Sequence, residues 1–441
     1  MPPATASTIA FAQGPLRRMG SGQRVARVAG RGALAVLDQG LFAVTTFAAN
    51  LLLVRWLPAA DYGAFAIGWA AFLLVAVVHQ AGFGEPQQAL GGGRFAARLG
   101  GYLGALARGH WLVALPAGAI LALTALTAGW LGHDRIAAVA GGLAIAVPGT
   151  LAYWLARSAC YAAGRARHAA FGSATFMILS LAGLGALHAL RWLGPGTAIA
   201  TLGAAGWMAS IVVRRSLRDL PRGEVTLHEV VAAHAPYAGW AAGSQAMGWL
   251  CANLHILVLG ASAGLATAGT MKALDTALTP AQQVATALSQ VALPWLGAAS
   301  VRGTLLRAGA ILAAGFAGMG LLAWAVLALA GDHLLALLYG PAMAVHAGDL
   351  SLYALLLIPY GAATAFQLGC RATLRGGALF AHNLIFSLAL IAAYLIAKPY
   401  GLRGMCIAAV VVQAATLPLA AWLFLRAAAP TMTTTKKDGG E

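Results

Sequence analysis

Charge is scarce in this chain. Of 441 residues, 9% are Asp, Glu, Lys or Arg and only 12 are acidic, against roughly 25% charged residues in soluble domains. A membrane enzyme would gather several acids or histidines in one loop region, and no such group is visible. Cysteine is scarcer still. Cys160, Cys251, Cys370 and Cys406 stand singly, which excludes a CxxC metal or redox motif and a disulfide framework. They read as small apolar residues. No GxxxxGK[ST] occurs, so ATP in a phosphate-binding loop is excluded. HEVVAAH at 228–234 spaces its histidines six apart, about 120° from a shared helix face, whereas helical zinc sites use i, i+4. The chain reads as non-enzymatic, with no catalytic residue, cofactor or metal.

What the chain has is apolar sequence, 60% of its residues. About twelve apolar runs centre near Phe42, Leu73, Ala119, Ala146, Leu179, Ala205, Leu250, Thr279, Gly318, Leu356, Leu390 and Val411. Each is long enough for a membrane span, which needs roughly 20 apolar residues. The segments between them alternate in charge. Twenty-two of the 28 Lys and Arg residues fall on one side of the series, and only Arg55, Arg135, Arg191, Lys398 and Arg403 on the other. Basic loops stay in the cytoplasm. Both termini are therefore predicted cytoplasmic, in a multi-pass membrane protein. The net charge of +16 is spread in short juxtamembrane clusters, which points to anionic lipid headgroups and excludes nucleic acid as a partner.

The expected architecture is all-α, about twelve transmembrane helices in two six-helix lobes. The boundaries are a basic N-terminal segment (1–32), a first lobe (33–213), a polar cytoplasmic linker (214–231), a second lobe (232–426) and a tail (427–441). No cleavable signal precedes the first span; the weak apolar stretch stands before the arginines, the reverse of a signal peptide. RWLGPGTAIA from Arg191 and KPYGLRGMCIA from Lys398 place a basic residue three before a glycine at the last span of each half. This is a weak sign of a parallel repeat.

Polar residues inside the spans are the candidates for function, because a central charge costs about 2.5–3.5 kcal/mol to insert. Asp38 lies in span one, either paired with a nearby arginine or facing an interior. His79, Gln80 and Glu85 form a polar cluster closing span two. Span eight, GTMKALDTALTPAQQVATALSQ from Gly269, is the most polar. Lys272 and Asp275 are i, i+3 and can pair, and Gln282 follows. Span seven adds Asn253 and His255. Asp38, Lys272, Asp275, Gln282, Asn253 and His255 are expected along a substrate pathway. Arg55, Arg191 and Lys398 are candidates for an outer mouth, and Arg108, His110 and Arg157 for an inner portal. Six prolines, Pro116, Pro148, Pro280, Pro294, Pro359 and Pro418, are expected to interrupt spans.

The stretch LVRWLPAADYGAFAIGWAAFLLVAVVHQAGFGEPQQAL at 53–90 resembles the first hairpin of bacterial polysaccharide flippases. They belong to the multidrug/oligosaccharidyl-lipid/polysaccharide (MOP) exporter superfamily. Its L-x-x-x-x-Y-G turn and the Gly82-x-Gly84 closing span two carry the likeness, and NLHILVLGASAG, LLALLYGPAM and PYGLRGMCIAA follow in the family's order. Two positions depart from the pattern: Gln80 and His255 stand where family members often carry Asp. The resemblance implies two lobes around a central cavity and alternating access. It also implies export of an undecaprenyl-pyrophosphate-linked oligosaccharide for surface polysaccharide synthesis, with a glycan polymerase and chain-length regulator as possible partners. A cation-coupled drug antiporter of the same superfamily is the alternative.

Overall fold

The computed structural model describes residues 21–91, 93–221, 223–301, 304–373 and 375–428. The first twenty residues, the tail from 429, and Arg222 and Arg302 lie outside this set, and with them the basic residues expected there. The described residues form helices and turns with no strand among them, as the apolar runs require in a solvent that cannot hydrogen-bond a free backbone. Nine segments among them are long and apolar enough to cross a membrane. The last, Gly377–Ala428, covers three helices, α13 (Gly376–Ala397), α14 (Gly401–Ala415) and α15 (Leu417–Ala428). Helices α8 (Leu227–Ser262) and α9 (Leu265–Val301) are long enough, at about 1.5 Å per residue, but are absent from the nine apolar segments.

The chain divides into two compact units, Met1–Ala273 and Leu274–Glu441. In the first, α1 (Ser21–Trp56) packs on α6 (Ala166–Ala189), and α5 (Asp134–Ala162) is sandwiched by α4 (Leu99–Trp130) and α7 (Pro195–Arg215). The α5–α7 seam is close because small residues let the backbones meet. A Cβ on Gly203 would lie 2.6 Å from the Ala146 Cα, and one on Gly206 would lie 2.7 Å from the Thr150 Cα. Helix α2 (Ala59–His79) packs on α5 and α8, and the Trp249 indole donates to the Ala70 carbonyl at 2.7 Å. The Gly-x-Gly of the opening hairpin forms a π-helical turn, Gln80–Gly84, before α3 (Glu85–Gly91).

The polar segment 214–231 is stitched onto this unit. The Gly100 amide donates to the Pro221 carbonyl (2.8 Å), Arg98 to the Glu224 carbonyl (2.8 Å) and Arg108 to the Val225 carbonyl (3.3 Å). Arg165 holds both Asp219 oxygens, which keeps that exposed carboxyl below its usual pKa. Thr226 then caps α8 by accepting from the Glu229 amide at 3.1 Å.

In the second unit α10 (Leu305–Tyr339) packs on α12 (Leu357–Ala372), with Gly320 and Gly361 against the facing backbone. Leu296, Phe316, Leu368 and Phe424 form the core. Two expected proline breaks are present. Pro359 follows the break between α11 (Ala347–Ala354) and α12, and Pro418 follows the one between α14 and α15. Pro116, Pro148, Pro280 and Pro294 instead sit within the continuous helices α4, α5 and α9; membrane helices tolerate proline because the freed backbone groups can be met by their surroundings.

Candidate functional site

Within the first unit the polar side chains converge on one carboxylate. Asp38 of α1 is fully buried. Arg157 of α5 reaches it with Nε at 3.0 and 2.8 Å from the two oxygens and Nη2 at 2.6 Å. Tyr161, one turn on, and Ser173 of α6 both donate to it, and the Tyr153 and Ser173 hydroxyls are 2.7 Å apart. Tyr153, Arg157 and Tyr161 stand at i, i+4 and i+8, so α5 presents them as one stripe. The guanidinium also lies 5.1 Å from the centre of the Phe42 ring, a favourable cation–π arrangement. The carboxylate therefore has an ion pair and two hydroxyl donors. Such a group is held at low cost while complete, and removal of one partner costs about 3–5 kcal/mol.

One turn along α1 from this cluster is an aromatic-walled pocket. Phe42, Trp69, Trp154 and Phe176 form its walls, and Thr45 and Asn50 supply polar atoms. Phe42 packs edge-on to Trp154 and stacks on Phe176. Its free volume is about 20 Å³, room for a single water.

A second polar layer lies around the π-helical turn. The His79 and His110 rings meet at 3.0 Å, Nε2 to Nδ1. His234 of α8 sits between the Gly82 carbonyl (2.8 Å) and the Tyr102 hydroxyl (2.7 Å). Glu85 accepts from Gln245 at 2.7 Å and from Tyr237. Together these contacts fasten α8 to the end of α2 and to α4. His234 is thus used structurally, and no group of three or more metal-binding side chains occurs among the described residues.

The remaining expected residues are placed as follows. Asn253 and His255 are buried on α8, and the Asn253 amide donates to the Trp249 carbonyl of its own helix at 2.9 Å. Lys272 and Asp275 are half-buried one turn apart on α9, and Gln282 is half-buried two turns on. In the second unit Asp275 accepts from Tyr353 at 3.2 Å. Arg55, Arg191 and Lys398 are all exposed. Of the three portal candidates, Arg157 is taken up by Asp38, Arg108 holds the Val225 carbonyl, and His110 faces His79. Sequence reasoning missed Tyr161, Tyr153 and Ser173. Their i, i+4, i+8 spacing with Arg157 on span four is the signal that could have found the first two.

No family model matches this chain, and no curated protein matches it. Solved structures do. It is similar to a multidrug resistance MATE family transporter of the MOP superfamily in an inward-facing conformation. The identity is 14% and the TM-score 0.67, over 89% of this chain and 98% of that one. It is also similar to the lipid II flippase MurJ in an inward closed conformation, at 14% identity and TM-score 0.65 over 90% of each chain. A MOP superfamily transporter from Pyrococcus furiosus, described as having a binding pocket of reverse polarity, aligns at 14% identity and TM-score 0.58 over 91% of this chain and 95% of that one. The chain thus has the all-α membrane fold shared by MATE transporters and MurJ.

Proposed function

We propose that this protein is a membrane transporter that flips a polyprenyl-pyrophosphate-linked oligosaccharide from the cytoplasmic to the periplasmic leaflet of a bacterial inner membrane. The observation that favours this cargo over a cationic drug is the state of Asp38. A cation exporter needs an interior acid free to meet its substrate, and this carboxylate is already held by Arg157, Tyr161 and Ser173. The resulting cluster is neutral. An anionic pyrophosphate would meet no repelling charge there, while the half-buried Lys272 is the proposed cation for it. Asp275, Gln282, Asn253 and His255 are proposed to line the rest of the pathway. The sugar and pyrophosphate cannot cross about 30 Å of hydrocarbon unaided, so a polar interior lowers the barrier while the lipid tail stays in the bilayer.

The test is a deletion strain. Inner-leaflet lipid-linked oligosaccharide should accumulate and surface polysaccharide should fall, and Lys272→Ala at normal protein level should reproduce both changes. The fold shared with a MATE multidrug resistance transporter favours a second reading, a small-molecule antiporter. Normal surface glycan with no redundant flippase, together with raised sensitivity to cationic dyes, would select it.

A further inference from the structure

The arginine-rich end of the first unit carries a cavity distinct from the Asp38 cluster. It has a volume of about 240 Å³ and lies between α4, α5 and the end of α7. Gly104 and Ala107 of α4 face Ala156 and Ala159 of α5 across it, and Arg214 and Arg218 border it. Four other arginines at this end are occupied. Arg98 pairs with Glu229 at 2.8 Å, Arg108 bonds Val225, Arg157 pairs with Asp38 and Arg165 with Asp219. Arg214 differs. Its guanidinium lies 5.4 Å from the centre of the Trp111 ring, and it is half-buried with no carboxylate beside it among the described residues. A desolvated cation without a counterion is unfavourable, and a cavity at its side is where an anion would sit.

A second side chain asks for the other half of a ligand. Gln87 of α3 also lines the cavity, is 1% exposed, and its Oε1 has no hydrogen-bond partner among the described residues. A buried acceptor left unmet is costly. The cavity thus offers a cation for a phosphate and an acceptor for a hydroxyl, between walls of Leu, Ala and Gly at the end of the spans.

We propose that this cavity binds the headgroup of an anionic phospholipid with a free hydroxyl, of the phosphatidylglycerol kind. The phosphodiester sits against Arg214 and a headgroup hydroxyl donates to Gln87, in the leaflet at the arginine-rich end of the spans. The site serves the transporter's lipid surroundings and does not depend on which cargo is carried.

The experiment reconstitutes the full chain in nanodiscs of equal parts phosphatidylglycerol and phosphatidylcholine. It then counts retained lipid by native mass spectrometry after transfer to detergent. Wild type should retain phosphatidylglycerol. Arg214→Gln should lower retention about tenfold or more, the scale of one lost charge-assisted hydrogen bond. Gly104→Leu should do the same from the opposite wall without changing charge; a Cβ there meets nothing closer than Arg108 Nη1 at 3.9 Å, so the helix tolerates it. Gln87→Leu should lower retention of phosphatidylglycerol but not of phosphatidic acid, which has no headgroup hydroxyl. Arg167→Gln, an exposed arginine at the same end, should leave retention unchanged. Equal retention in wild type, Arg214→Gln and Gly104→Leu, or an equal loss in Arg167→Gln, would overturn the proposal. Displacement of the lipid by millimolar glycerol 3-phosphate would overturn the lipid source and assign the site to a soluble phosphate ester.

Discussion

Arg157→Gln should destabilise the first unit strongly. The substitution leaves Asp38 with two hydroxyl donors and no cation, at a site from which water is excluded. Breaking a buried pair by removing one member costs about 3–5 kcal/mol. With roughly 2–4 °C per kcal/mol for a unit near this size, the unfolding midpoint should fall by about 6–20 °C. Asp38→Asn alone strands the guanidinium and should cost a comparable amount. The double variant Asp38→Asn/Arg157→Gln removes both charges, and the new amides can still bond Tyr161 and Ser173. It should recover most of the loss and melt above either single variant, so that the coupling in the cycle exceeds the cost of one single change. Size-exclusion after a heat ramp, followed by intrinsic fluorescence, reads the midpoint. If Arg157→Gln melts with wild type, or the double variant is as unstable as the two single losses added together, the pair is not the anchor of α1 on α5. A stable double variant that no longer exports glycan would place the pair in transport as well as in folding.

Three further outcomes can be checked. Gly203→Leu should overpack the α5–α7 seam at a cost of about 1–3 kcal/mol or more, lowering the yield of monodisperse protein. Gly185→Ala, where a Cβ meets nothing within 4 Å, should be neutral in the same assay. Asp219 is held below the usual carboxylate range by Arg165, so its clasp is complete above the ordinary carboxylate pKa and lost as pH falls through the lowered one. Protease cleavage within 216–226 should therefore rise only in that acid range, and Asp219→Asn should show the faster cleavage already at neutral pH. Reporter fusions after Arg215 and Arg371 should read cytoplasmic and those at His133 and Gly331 periplasmic; a periplasmic reading at Arg215 would reverse the orientation.

The spans were legible because an apolar run of sufficient length has few other fates, and α2, α4, α5, α6, α7 and α10 occupy the expected places. Polarity was a poorer guide to what packs with what. Segment 214–231 is the most polar stretch and read as a linker between lobes. Its carbonyls are bonded by Arg98 and Arg108, and α8 beyond it packs on α2, so by contacts the chain divides at Ala273 and Leu274. A polar composition says that a segment can face water, not that it lacks partners. The Asp38 cluster was half legible. An intramembrane acid needs a cation, but its partner lies 119 residues away, and no local pattern encodes that distance. Gln87 and Arg214 carry no sequence signal, since their interest comes from the cavity between them.

The same geometry limits what a charge count can say about cargo. The excess of arginine at one end is the basis of the expected topology, and it would be simple to assign that excess to a pyrophosphate. The structure gives four of these arginines other work. Arg98 and Arg165 hold the segment before α8, Arg108 bonds its carbonyl at Val225, and Arg157 neutralises Asp38. An arginine already bonded to protein offers an anion only the difference between two hydrogen-bonding arrangements, which is small. A cation with no carboxylate beside it among the described residues offers much more. Arg214 at the end of the spans is therefore a position where a change of charge should alter ligand binding rather than folding.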